Sequence, residues 1–295
     1  SAEAVTWAYR LFLDREPDTP QAMQFYTNNF SNTQKLRAAF LCSDEYRRKN
    51  GDGHRARMHI DEAIDELPIL LQHVQDSWQH LGKIEPYWSV LSSDEYLSSN
   101  IESTRQAFYE SGRSEVNQIF ADLERNDITG LKTCIEYGCG VGRVTGWLSE
   151  RFDLVHGYDI SEEHLKIAEE HLKKNNIKLH QIRTMNDIKA MPKVDLIYSS
   201  IVLQHNPPPV IESIIQRFAE ALNPGGVMLF QVPTYLPNYS FNIKEYMGQK
   251  GLGMEMHALP QSRVFRALKG LDVLEVWENN VTGIGVSNVF LARKG

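Results

Sequence analysis

Three cysteines among 295 residues are too few, and odd in number, for a disulfide framework, and Cys42, Cys134 and Cys139 lack the paired spacing of zinc ligands. The expectation is a reducing, cytoplasmic setting. No apolar run approaches the length of a bilayer span, and no N-terminal stretch resembles a signal peptide, so no transmembrane segment is expected. An excess of positive charge is also missing. With 31 Lys and Arg against 38 Asp and Glu, the net charge of −7 supplies no field for a polyanion, and nucleic acid is not an expected partner. Small molecules, glycans or other proteins fit better. Apolar residues at 42% and charged residues at 23% match a globular chain long enough for a catalytic domain and a smaller one. The chain opens on Ser1-Ala2 without methionine, so the natural polypeptide is expected to be longer.

The sequence divides into three stretches: a small helical module at 1–50, a helical linker and lid at 51–130, and an α/β domain at 131–295. In the first, Val5, Ala8, Tyr9 and Phe12 fall at helical spacing, and Glu16-Pro17-Asp18-Thr19-Pro20 breaks the pattern. Asn50-Gly51-Asp52-Gly53 reads as the link. A long helix is expected over 54–80, with Ile60, Ala63, Ile64, Leu67, Leu70, Leu71 and Val74 on one face and a kink at Pro68. The similar hexapeptides at 41–46 and 91–96 share no flanking residues, and each reads as a helix start rather than a repeat.

From about Leu131, short β-like runs alternate with helical ones, which predicts a parallel sheet with crossover helices. Strands are expected at 133–137, 154–158, 178–182, 194–199, 227–232, 273–277 and 287–292. The glycine-containing link 279–285 suits a hairpin, so the seventh strand should run antiparallel. The fold class is thus α/β, a seven-stranded doubly wound sheet of six parallel strands with the last antiparallel, behind a small N-terminal all-α module.

In Cys134-Ile135-Glu136-Tyr137-Gly138-Cys139-Gly140-Val141-Gly142-Arg143, an apolar strand runs into alternating glycines. Such a loop turns sharply and lets main-chain amides approach a ligand. The dinucleotide fingerprint would need glycine at 143, which counts against a nicotinamide cofactor. With its acid two residues ahead, the G-x-G-x-G spacing resembles motif I of the Rossmann-like class I methyltransferases, which use S-adenosyl-L-methionine. That resemblance covers roughly 133–292. It implies a cofactor set of Glu136 toward the methionine ammonium, the loop at Gly138, Gly140 and Gly142, Asp159 on the ribose hydroxyls with Ile160 beside it, Asn186 and Asp187 near adenine, and Ser199 at the fourth strand's end. Asp159 also suits a helix N-cap, and Asn186-Asp187 a loop cap. Leu222-Asn223-Pro224-Gly225-Gly226 matches the family's turn into strand five.

Methyl transfer from a sulfonium needs an acceptor held in line and, for a hydroxyl, a proton acceptor. His205, in the loop after strand four, is the candidate catalytic base, against a packing role. Asn206-Pro207-Pro208 sits too late, and lacks the aromatic, for the motif of amide-nitrogen methyltransferases. The aspartate of metal-dependent relatives is replaced by Ser199-Ser200, so no metal is expected. Tyr87, Trp88 and Arg113 are candidates for a lid, the rings over the cofactor and the guanidinium on its carboxylate. The polar, aromatic insertion 233–260 is a candidate acceptor pocket.

Leu11-Phe12-Leu13-Asp14-Arg15-Glu16-Pro17-Asp18 and Phe40-Leu41-Cys42-Ser43-Asp44-Glu45-Tyr46 resemble a small helical domain of unknown function that accompanies bacterial surface-glycan enzymes. The implied activity is O-methylation of a saccharide or glycan precursor. Another small-molecule acceptor, or a non-catalytic cofactor-binding assembly module, is the alternative, and the N-terminal module is a candidate for docking another protein or domain.

Overall fold

The computed structural model describes residues 1–30, 32–41, 43, 45–46, 58–248, 252–279 and 285–295. Two compact units result, Ser1–Arg57 and Met58–Gly295. The expected link 50–53 and the hairpin turn 280–284 lie outside the described residues, as does Cys42.

The first unit is helical. Helix α1 (Ala2–Leu13) starts on the Ser1 hydroxyl, and α2 (Pro20–Asn29) is capped by Thr19 with Pro20 in its first turn, where a missing N–H costs nothing. With α3 (Thr33–Leu41) they enclose Val5, Tyr9, Leu13, Leu36 and Phe40, where Tyr9 meets Phe40 edge to face at 5.0 Å.

The second unit begins with β1 (His59–Ile60) and α4 (Leu67–Ile84). The described part of the expected 54–80 helix therefore starts late. Pro68 occupies the first turn of α4 and kinks nothing, because proline is tolerated there. Leu70, Leu71, Val74 and Leu81 form the buried face, while Ile64 lies ahead of the helix and is exposed. Helix α5 (Ile101–Arg125) follows.

Strands and helices then alternate: β2 (Thr133–Tyr137), α6 (Thr145–Leu148), β3 (Leu154–Asp159), α7 (Glu162–His171), β4 (Ile177–Gln181), α8 (Met185–Lys189), β5 (Val194–Ser199) and α9 (Pro208–Ala221). After β6 (Leu222–Tyr235) come the short β7 (Ser240–Phe241), α10 (Ile243–Gly248) and α11 (Gln261–Ala267), then β8 (Leu271–Glu278) and β9 (Val286–Lys294). Strand β7 pairs with β1.

The seven main strands order as β4-β3-β2-β5-β6-β9-β8. Pairings among β2 to β6 are parallel, and β9 enters antiparallel between β6 and β8. Helices cover both faces. On one, α9 buries Ile211, Ile214, Ile215 and Phe218 together with Leu70 and Leu71 of α4; on the other, α5 lays Val116, Ile119 and Leu123 over Cys134, Leu196 and Val227. Each such side chain contributes about 1.5–3 kcal/mol of burial. This core holds the carboxyl ends of β2, β3 and β5 side by side, the place where open α/β sheets bind ligands.

Candidate active site

A cavity with about 870 Å³ of atom-free space opens at that edge. Strand β2 brings Glu136 to it, the following loop brings Gly138 and Gly140, β3 ends on Asp159 and is followed by Ile160, and β5 is followed by Ser200, Ile201 and Val202. Gly138 and Gly140 hold φ of 80° and 53°, and a side chain at either would drive into Val202 or Val90. Glycine is required on both counts.

Asp159 is buried, and its two oxygens accept from Gly140 N–H at 2.7 Å and Ser161 N–H at 2.8 Å. It is not the N-cap of α7, a role taken by Ser161. Each carboxylate oxygen keeps a further lone pair for a ligand. Glu136 is 5% exposed and accepts from Thr145 Oγ1 at 2.5 Å. Burial pushes its carboxyl up to about 8; Thr145 pulls it down, nearby Glu115 raises it and Arg143 lowers it. A cation arriving beside it would draw the proton off.

Arg143, in the position that separated this loop from the dinucleotide pattern, also lines the cavity. Its guanidinium pairs with Glu115, which accepts in addition from the Tyr198 hydroxyl, and donates to Ser111 Oγ at 3.2 Å. The Arg143 Nε is buried without a partner. An orphaned donor on a residue that lines a cavity suits an anionic ligand group that can reach the guanidinium. Glu115, Tyr198 and Arg143 carried no motif signal that separated them from ordinary helix and strand residues.

Several expected positions lie elsewhere. Arg113 is exposed and stands over the Trp147 ring at 5.3 Å, away from the cavity, because it faces outward on α5. Tyr87 packs edge to face on Phe108 and Tyr109 as part of a small core, and neither Tyr87 nor Trp88 lines the cavity; their neighbours Ser89 and Val90 do, with Trp78 of α4. Asp187 is spent on a capping box, accepting from Arg183 N, Thr184 N and Thr184 Oγ1, and Asn186 N–H donates to Thr184 Oγ1, so Ile182 is what that loop offers the cavity. Ser199 donates to the Tyr137 carbonyl at 3.0 Å and leaves the wall to Ser200. Gly142 (φ 84°) leaves room for Leu172 instead of a ligand.

His205 lies in a short 3-10 turn (Leu203–His205) and lines both this cavity and a second cleft. Nδ1 is 2.7 Å from the Glu255 carbonyl, and the ring lies 5.1 Å from that of Trp78. Burial pushes its pKa down to about 4, so the ring is neutral over the physiological range. The second cleft takes Leu236, Asn238, Tyr239, Met254 and Met256 from the expected insertion 233–260 and adds residues 89–92, Ile201, Gln204 and His205.

Residues 134–226 match the family model described as a methyltransferase domain. Among curated proteins, the chain is 39% identical over 113 residues to trans-aconitate 2-methyltransferase of Variovorax paradoxus (strain S110), covering 38% of this chain and 42% of the relative. It is 27% identical over 135 residues to the ubiquinone biosynthesis O-methyltransferase of Haemophilus ducreyi, covering 43% and 53%. The chain thus spans about half the length of the curated relatives it matches. Among solved structures, it resembles magnesium protoporphyrin IX methyltransferase from Synechocystis PCC 6803 with bound SAH, at TM-score 0.53 and 19% identity over 77% of this chain and 100% of that one, a likeness of fold. No helix among the described residues is long and apolar enough to cross a membrane.

Proposed function

We propose that this chain, whose residues 134–226 match a methyltransferase domain, transfers a methyl group from S-adenosyl-L-methionine to a hydroxyl of an uncharged small acceptor. The observation that carries the reading is the cavity at the strand ends, where buried Glu136, Asp159 and the unpartnered Arg143 Nε meet a glycine loop. These residues fit the cofactor. Asp159 offers lone pairs to the ribose hydroxyls, Arg143 Nε a donor to the carboxylate, Glu136 a buried acid to the ammonium, and Ile160 and Ile182 apolar walls to the base. Bound there, S-adenosyl-L-methionine supplies an electrophilic methyl on a sulfonium.

The chain's own contribution is to orient the acceptor, keep water out and receive a proton. Val90, Trp78 and Val202 wall the cavity against solvent. His205, neutral and shared between cavity and cleft, is the base. The described residues lining the cleft include no Lys, Arg, Asp or Glu. A carboxylate or phosphate would find no counter-ion there, whereas a hydroxyl finds Ser89, Gln204 and Asn238 among Met254, Met256 and Leu236. Saccharide hydroxyls meet that requirement, and the resemblance of the N-terminal unit to a domain of surface-glycan enzymes favours them; docking of another protein or domain is the role proposed for that unit.

The test is a transfer assay by mass spectrometry with paired acceptors, neutral sugars and phenols against their acidic counterparts. Methylation of a neutral acceptor, lost in His205→Asn, supports the reading. Methylation of acidic acceptors alone contradicts it.

A further inference from the structure

A run of hydrogen bonds passes beneath the cavity and the cleft, and it begins and ends on groups whose polarity is fixed. The main-chain N–H of Ile201, which only donates, lies 2.9 Å from Gln231 Oε1. The nitrogen of that amide then donates, to Ser287 Oγ and to Gln204 Oε1, the latter at 3.2 Å. The Gln204 nitrogen is in turn the group 3.3 Å from His205 Nε2. Nε2 must therefore be the acceptor. At the far end, His205 Nδ1 is 2.7 Å from the Glu255 carbonyl, which only accepts, so Nδ1 carries the proton. Turning either amide over sets donor against donor or acceptor against acceptor. Gln204, His205 and Gln231 are 5%, 5% and 2% exposed, so each mismatch would leave a buried polar group unsatisfied.

Both ends of the run are tied down. Ile201 holds φ 59°, a costly conformation for a β-branched residue that persists only where its surroundings impose it. The Glu255 carboxylate takes His73 Nε2 of α4 at 3.4 Å and His257 Nε2 at 3.3 Å. His257 N–H donates to the Gln204 carbonyl at 2.7 Å, and its Nδ1 meets the Tyr239 hydroxyl at 2.7 Å. The carbonyl that receives His205 is thus clamped by its own side chain and by the residue two places on.

We propose that Gln231 and Gln204 are positioning residues that hold the His205 imidazole in a single tautomer, its proton on Nδ1 and its lone pair on Nε2, ready for the acceptor hydroxyl. This rests on His205 as the base. The acceptor's O–H bond breaks toward Nε2, its oxygen forms the new bond to the methyl carbon, and the electron pair of the broken carbon–sulfur bond stays on sulfur. The charge then on the imidazolium is met by the Glu255 carbonyl, already aligned on Nδ1. At 3.3 Å the Gln204 amide is a long contact on Nε2 that an acceptor hydroxyl displaces.

The experiment is nitrogen-15 NMR of the whole chain with labelled histidine, the His205 signals identified by their loss in His205→Asn. At neutral pH, Nδ1 protonated and Nε2 bare is the expected pattern. In Gln204→Glu, a carboxylate beside Nε2 favours its protonated form, so the His205 midpoint rises by about 2 pH units, from about 4 toward about 6. Gln204→Met, which removes the donor from Nε2, lets a fraction of the rings carry the proton there, and an unchanged pattern in this variant overturns the proposal. Other groups facing this titration are His257 and Glu255 behind the ring and Glu115, Glu136, Asp159 and His164 across the cavity. A proton on Nε2 in the unaltered chain, or an unchanged midpoint in Gln204→Glu, overturns the proposal. Calorimetry with S-adenosylhomocysteine on the same samples separates the two readings: failure to bind it removes the cofactor assignment, and with it the base role, while the tautomer is read independently.

Discussion

The cavity at the strand ends and the cleft proposed for the acceptor share His205, Ser89, Val90 and Ile201, yet they are built in opposite ways. The cavity concentrates buried acids and an arginine at strand ends, while the described cleft lining has no charged side chain. Buried charge at fixed points suits a ligand that is always the same and itself carries charges at fixed points. A neutral lining with two methionines adapts to shape, which suits a wall that must change with the acceptor. The histidine stands where the two kinds of surface meet.

Substitutions should divide along that line, and the largest effect is expected at Asp159. Asp159→Ala leaves Gly140 N–H and Ser161 N–H without partners and removes the ribose acceptor, so cofactor affinity should fall by at least about 100-fold in calorimetry. His205→Asn should lower kcat by about 100-fold or more with no more than about a twofold change in affinity for S-adenosylhomocysteine. Equal loss of both would place His205 with the cofactor and blur the division. Arg143→Met should cost about tenfold in cofactor affinity, since it removes a guanidinium from the cavity lining and the pairing it makes with Glu115.

A smaller effect concerns stability. The carboxyl of Glu136 titrates near 8 in the folded chain against an ordinary 4.5, so the folded state keeps a proton that the unfolded chain has released. The resulting penalty grows as pH rises from about 4.5 to about 8. Glu136→Gln should therefore raise stability at pH 8 by about 1–2 kcal/mol in thermal unfolding while weakening cofactor binding. The smallest effect is expected at Arg113, whose replacement by alanine should leave cofactor affinity within about twofold, because it stands over Trp147 outside the cavity.

The same division explains what could be read before the fold was seen. Much of the sheet was legible because strands such as β2 and β5 are short apolar runs, and even the antiparallel β9 followed from a glycine-bearing link; β6, however, runs 222–235 and takes in the expected turn at 222–226. Glu136, Gly138, Gly140 and Asp159 were legible because one loop and the next strand end bring them together within a few residues of one another in the fold. Arg113 and Arg143 could not be told apart by residue type; only the orientation of α5 and the course of the glycine loop decide which faces inward. Pro68 was misplaced because a proline in the first turn and one in the middle of a helix look alike until the helix start is known. Asp187 closes a capping box on Thr184, and neither it nor Asn186 lines the cavity, a difference that the shared polar residue types do not reveal in sequence. The cleft gathers residues 89–92, Ile201, Gln204, His205, residues 236–240, Met254 and Met256, and no local pattern links segments so far apart.

Titrating the intact chain by calorimetry with S-adenosyl-L-methionine, S-adenosylhomocysteine and NAD, beside Asp159→Ala, tests the central claim most directly. Binding of the first two, absent for NAD and lost in the variant, is the result predicted. Binding of NAD alone, or of none of the three by the unaltered chain, would contradict it.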